Sequence, residues 1–132
     1  MADNLHLKVI TPLKLVIDEQ VELVEGPGEL GEFGILPGHV PFVTTLNPGF
    51  LKFRQGSETK SLVIHGGLAE VSNDNVRILT DSTEEPSTID TAAAKEDIHN
   101  IESQIDDNQG NTKKLKELNF QLKLAQVRAS AK

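Results

Sequence analysis

The sequence predicts a β + α chain: a β-rich first part, built as a sandwich or a barrel, followed by two helices. Three observations predict it. All six prolines and nine of the ten glycines lie at or before Pro86. Before that point, short apolar runs are punctuated by Gly, Pro, Asn and Asp. After it, the chain is rich in Ala, Lys, Gln and Glu, and apolar residues recur at spacings of three and four. The boundary therefore falls at Glu84-Glu85-Pro86, giving a β domain over residues 1–84 and a helical hairpin over 85–132.

The first strand is marked by Leu5, Leu7 and Val9 alternating with His6 and Lys8, the period-two pattern of a half-buried strand. Lys14–Ile17 and then Val21, Leu23 and Glu25 continue the β signal, which Gly26-Pro27-Gly28 ends. Next comes Gly31-Glu32-Phe33-Gly34-Ile35-Leu36-Pro37-Gly38-His39-Val40-Pro41-Phe42-Val43-Thr44. Glycine admits positive φ and proline fixes φ, so this stretch reads as a shaped loop, a short strand Phe33–Leu36, a Pro-Gly turn and a strand from Val40 to Leu46. Asn47-Pro48-Gly49 reads as a further turn before Phe50–Gln55. Leu62–Val71 follows, and Ser72-Asn73-Asp74-Asn75 forms a turn into Val76–Leu79.

Ser87 stands three positions before Asp90, a capping-box-like helix start just after Pro86. Ala94, Ile98, Ile101 and Ile105 then form one apolar stripe. Asp106–Asn111, containing Gly110, is a stop and turn, with Thr112 as the N-cap of the second helix. There Leu115, Leu118, Leu122, Ala125 and Ala129 form the matching stripe. Both have the a/d spacing of an antiparallel helical hairpin. So small a unit buries little surface and is marginal by itself, which opens it to more than one arrangement.

The 132 residues include no Cys, Trp or Tyr, so aliphatic side chains must fill the core, and disulfides and thiolate chemistry are excluded. No stretch approaches the ~20 apolar residues of a membrane-spanning helix, and the N-terminus has no basic region leading into an apolar run. Any membrane association is expected to go through a partner. The net charge of −7 is uneven: from Thr112 onward Lys113, Lys114, Lys116, Lys123, Arg128 and Lys132 face only Glu117, giving +5 there and −12 elsewhere. Such asymmetry marks either a solvated helix face or an interaction tail. An acidic chain whose basic tail offers one aromatic residue, Phe120, is a poor nucleic-acid binder.

Nothing in the residues builds an active site. The four histidines, 6, 39, 65 and 99, show no metal-ligand spacing. His6 and His99 are expected to face solvent, whereas His39 and His65, beside glycines, suit structural or interface roles. No serine sits in a nucleophile elbow, and the glycines at 31, 34 and 38 do not open a helix that could cradle a phosphate. Neither a metal nor a cofactor is expected.

The order GEFGILPGHVPFVT, NPG, HGGLAEV and NVRIL, followed by a helical tail, closely resembles the ε subunit of F-type ATP synthase, the equivalent of mitochondrial δ. The resemblance runs in register from about residue 5 to 80. It implies a flattened β-sandwich of about ten short strands. It also implies a non-catalytic rotor subunit of a proton-translocating ATP synthase, seated in the central stalk. The complex would lie on the cytoplasmic face of a bacterial plasma membrane, the chain itself being peripheral. The implied partners are γ and the c-ring, through Glu32, Gly34, Pro37, Gly38 and His39. The α and β subunits would be met by the basic tail, through Lys113, Lys114, Lys116, Lys123 and Arg128, and the tail can inhibit hydrolysis in that family. Some bacterial members bind ATP through an Ile/Leu-Asp-x-x-Arg-Ala motif. Here the match is Ile89-Asp90-Thr91-Ala92-Ala93-Ala94, with Ala93 in the arginine's place and Leu122 and Gln126 at two further basic positions. The phosphate-holding guanidiniums are absent, which argues against ATP binding. The alternative reading is a stand-alone nucleotide- or small-molecule-binding β-domain with a helical lid. That protein would be free, where the first would sit in a large membrane-bound complex.

Overall fold

The computed structural model describes residues 4–131, which divide into two compact units between Glu84 and Glu85. The first is a β-sandwich formed by one sheet folded over on itself. Its strands are β1 (Leu5–Ile10), β2 (Leu15–Val21), β3 (Leu23–Gly28), β4 (Gly31–Ile35), β5 (Phe42–Gln55), β6 (Glu58–Ser72), β7 (Asn75–Leu79) and β8 (Thr83–Glu84). Their order is β2-β1-β7-β6-β5-β3-β4, with β8 on β6. Neighbours are antiparallel except β1 and β7, which run parallel. The fold brings β2 back against β5.

Among the described residues the strands number eight, not the ten or so that the resemblance implied. Asn47-Pro48-Gly49, expected to be a turn between strands, is a bend inside one long strand, and Gly66-Gly67 bends a second. Asn47-Pro48-Gly49 lies within β5, which runs beside β6 from Phe42 opposite Val71 to Gln55 opposite Glu58. On its other side, β3 pairs with β5 at Glu25–Lys52 and next at Gly28–Leu46. Residues 47–51 thus have no register partner on β3, and the missing N–H of Pro48 falls in that gap. A Cβ on Gly49 would lie 2.6 Å from the Pro27 ring, so the β5 backbone packs against that ring as only glycine allows.

The second bend is at Gly66-Gly67 in β6, with φ of +82° and +127°. There the strand changes neighbour, from β8 at Val63 and Ile64 to β7 at Leu68–Ser72. Side chains from both layers meet in one core. Leu5, Leu7 and Val9 of β1, Val24 of β3, Ile35 of β4, Leu51 of β5, Ile64 of β6 and Val76 and Ile78 of β7 are fully buried in it. Each such side chain is worth about 1.5–3 kcal/mol relative to exposure.

The second unit begins with a 3-10 turn, Pro86–Thr88, not with an α-helix at Ser87. The side chain and N–H of Thr88 both return to the Glu85 carbonyl, at 2.8 and 3.0 Å. Helix α1 (Thr91–Asp107) is capped by Asp90, whose carboxylate accepts from the Ala93 N–H at 3.0 Å. Helix α2 (Thr112–Ala129) is capped by Asn111, not Thr112: Asn111 Oδ1 accepts from the Lys114 N–H at 3.1 Å. Gly110, at φ +94°, turns the chain between them. The helices pack on each other. Ala94, Leu118 and Ala125 of the two stripes are buried, while Ile98, Ile101, Ile105, Leu115 and Leu122 are half-buried.

Candidate functional site

The chain between β4 and β5 makes a tight, exposed reversal. The His39 N–H donates to the Leu36 carbonyl at 3.1 Å, and Gly38 stands at φ +86°. Proline second and positive-φ glycine third is the arrangement of a type II turn, so the Pro37-Gly38 pair is there to form it. The turn is tied to the rest of the sandwich at its tip: the Gly38 N–H donates to the Asp74 carboxylate at 2.7 Å. His39 Nδ1 lies 2.7 Å from the Val40 carbonyl. The His39 ring meets the edge of Phe42 at 5.7 Å, and Phe42 meets Phe33 at 5.6 Å. Phe33 in turn lies over Gly26, where a Cβ would come within 2.7 Å of the ring. A continuous row of rings thus supports the turn from beneath.

Around this support the surface is apolar and open. Leu36, Val40 and Val43 are 55, 70 and 65% exposed. Glu32 and Gly34 alternate with inward-facing Phe33 and Ile35, so both lie on the outer face of β4, where they are exposed. At the neighbouring β3–β4 turn, Leu30 is 99% exposed. That turn is held by the Glu29 N–H donating to the Thr45 carbonyl at 2.9 Å and by Thr45 Oγ1 donating to the Glu29 carboxylate. The five sequence-predicted interface residues therefore lie on one strand and its following turn. Glu32 and Gly34 are on the strand; Pro37, Gly38 and His39 make the turn. His39 is half-buried by its ring contact rather than fully exposed.

The other predicted residues divide. Lys113, Lys116 and Lys123 recur with Phe120 at spacings of three and four, so they share one face of α2, and all four are exposed. Lys114 and Arg128 lie off that row and are half-buried, so the five cations do not form a single face. Asp90 is occupied as the helix cap, and Ile89 N–H donates to the Pro86 carbonyl at 3.3 Å. Ala93 and Gln126 are exposed and Leu122 is half-buried, so these positions bring no cation to Asp90.

Two of the remaining histidines have structural surroundings, and His99 is exposed on α1. His65 Nε2 pairs with Glu84 Oε1 at 2.7 Å and its N–H donates to the Ser82 carbonyl, pinning β8 to β6. His6, expected to face solvent, is half-buried and pairs across the β1–β2 ladder with Asp18. Among the described residues, no three His, Asp or Glu side chains converge as a metal site would require. A shallow cleft of about 330 Å³ between Ile10, Pro12, Gly67 and Leu79 is mostly apolar and carries Asp81 as its one carboxylate. Asp74 and the Phe33–Phe42 pair were not legible as site residues. Asp74 stands 36 positions from Gly38, and only the fold brings them together.

Residues 4–86 match the family described as "ATP synthase, Delta/Epsilon chain, beta-sandwich domain". The "ATP synthase epsilon chain" of Nitratidesulfovibrio vulgaris (Miyazaki F) is 44% identical over 95 residues, 72% of this chain and 71% of that one. The "ATP synthase epsilon chain 2" of Syntrophotalea carbinolica is 39% identical over 105 residues, covering 80 and 76%. Among solved structures, a chain of the Euglena gracilis mitochondrial ATP synthase (OSCP/F1/c-ring, rotational state 1) is similar in fold. Its TM-score is 0.83 at 21% identity, over 93% of this chain and 78% of that one. A chain of the Tetrahymena thermophila mitochondrial ATP synthase central stalk and c-ring gives a TM-score of 0.58 at 18% identity, over 65 and 69%.

Proposed function

This chain belongs to the ATP synthase delta/epsilon family, and from that premise we propose that it is the non-catalytic rotor subunit of a proton-translocating F-type ATP synthase. The observation that carries the proposal is the braced, exposed turn at Pro37-Gly38-His39 within the family's β-sandwich. A rigid platform with an apolar surface at Leu36, Val40 and Val43 suits a permanent partner better than a diffusing ligand. We assign that surface to γ, and the outer face of β4 with Glu32 to the polar loops of the c-ring. Torque would pass through the sandwich, while neighbouring subunits supply the nucleotide and proton chemistry.

No helix of the described residues is long and apolar enough to cross a membrane. The chain would therefore be held at the cytoplasmic face of a bacterial plasma membrane by its partners. The exposed Lys113, Lys116 and Lys123 face is proposed to meet an acidic segment of the catalytic subunits and favour a hydrolysis-inhibiting position of the tail. ATP is not proposed as a ligand, because the motif positions present Ala93, Leu122 and Gln126 where cations would be needed.

Purification through an affinity tag on this chain, from detergent-solubilised membranes, tests the proposal. Recovery with γ and c in one large assembly supports it. Recovery of the free chain with none of these subunits overturns it in favour of a stand-alone binding domain.

A further inference from the structure

We propose that Asp74 is the positioning residue of the Pro37-Gly38-His39 turn, holding a docking element of β4–β5 from the β6–β7 hairpin. The inference rests on the proposed docking role only for its consequence; the positioning itself is argued from geometry. The Asp74 carboxylate accepts the Gly38 N–H at 2.7 Å. The Asp74 carbonyl accepts the His6 N–H at 2.8 Å, so the same residue is fastened to β1. Its own hairpin fixes it further: Ser72 and Asn75 are register partners across the two-residue turn. A carboxylate launched from three joined strands is a firm anchor.

The backbone of Asp74 strengthens the case. Asn73 and Asp74 have φ of +50° and +62°, the pattern of a type I′ hairpin turn. Glycine is the preferred residue at the second of these positions, since it has no Cβ to strain. Aspartate there gives up backbone ease, and what it supplies instead is the acceptor for Gly38.

The turn has need of it. Leu36 and Val40 are exposed, so burial does not fix the loop. A Cβ added at Gly38 would meet nothing within 4 Å, so the tip is open on its outer side. The His39–Leu36 bond and the His39 Nδ1–Val40 contact are local to the turn, and the ring contact to Phe42 holds the side chain. The Gly38–Asp74 bond ties the peptide preceding His39 to another part of the sandwich. Without it, the turn would sample orientations in which Leu36, His39 and Val40 no longer present one surface.

Three variants of the whole chain test this: Asp74→Gly, Asp74→Asn and His39→Ala. Asp74→Gly installs the residue the hairpin itself prefers, so it removes the acceptor without opposing the fold. Asp74→Asn keeps an oxygen acceptor and tolerates positive φ. Hydrogen exchange of the Gly38 amide, read by NMR, should speed about tenfold or more in Asp74→Gly, with global melting little changed. Asp74→Asn should restore protection to within about threefold. Binding to purified γ should weaken about tenfold in Asp74→Gly and recover in Asp74→Asn. Unchanged Gly38 exchange in Asp74→Gly would overturn the inference, as would failure of Asn to restore it. If Gly38 exchange responds as stated but γ binding is untouched by both Asp74→Gly and His39→Ala, the positioning role stands and the assignment of this surface to γ falls.

Discussion

Replacing Gly67 with alanine should be among the most damaging single-methyl changes available in the sandwich. Gly67 stands at φ +127°, where L side chains are strained, and its Cβ would lie 1.9 Å from the Leu79 carbonyl oxygen. The Leu79 carbonyl carbon and Thr80 Cα would be 2.9 and 3.0 Å away. All three neighbours are backbone, so no side chain can rotate aside. Holding a non-glycine residue in such a conformation costs about 1–3 kcal/mol, and forcing β7 away from β6 adds overpacking of similar size. The sum, about 2–6 kcal/mol, is a large share of the roughly 5–15 kcal/mol that stabilises a domain. Gly38→Ala is the control: φ is +86°, but nothing lies within 4 Å of the new methyl. It should cost about 1–2 kcal/mol, the backbone term alone. Urea titration of both variants, followed by circular dichroism, measures the difference. If Gly67→Ala lost less than about 1 kcal/mol, or no more than Gly38→Ala, the close approach of β6 and β7 at the bend would be refuted.

Other expectations follow from the same reasoning. Residues 1–84 contain the whole sandwich core, so the truncated chain should melt in one cooperative transition; a non-cooperative scan would show that the sandwich needs the helices. The isolated protein should bind ATP weakly or not at all, and calorimetry giving micromolar affinity, about −8 kcal/mol, would contradict this. Reversing Lys113, Lys116 and Lys123 together should raise ATP hydrolysis by the assembled complex, and the difference should shrink with added salt as screening shortens the reach of exposed charges to roughly 8 Å. Unchanged hydrolysis both in that variant and after deletion of residues 87–132 would leave the tail a passive appendage.

The β + α division was legible because glycine and proline mark it along the chain, and β1 was legible because Leu5, Leu7 and Val9 alternate with polar residues. The strand count was not, because the signals that end a strand also bend one. Pro48 could remain inside β5 only because β3 has no register partner there, a fact of pairing that β5 alone does not contain. Helix starts were misplaced by a few residues for a similar reason. Ser87, Asp90, Asn111 and Thr112 all accept capping bonds readily, and the choice among them fell to the backbone, extended at Asp90 and already helical at Thr112. The Pro37-Gly38-His39 turn was visible in its own residues. Its support from Asp74, Phe33 and Phe42 was not, since those contacts join positions distant in the chain.

The chain has no cysteine, so a single cysteine placed at residue 39 or 32 gives a unique attachment point for a photo-crosslinker. Illuminating intact membranes and identifying the product by mass spectrometry tests the central claim, that this turn and strand face two rotor partners. γ should be joined at position 39 and the c subunit at position 32, in particles that still hydrolyse ATP. Products joined to neither subunit, from chains shown to be present in the complex, would contradict it.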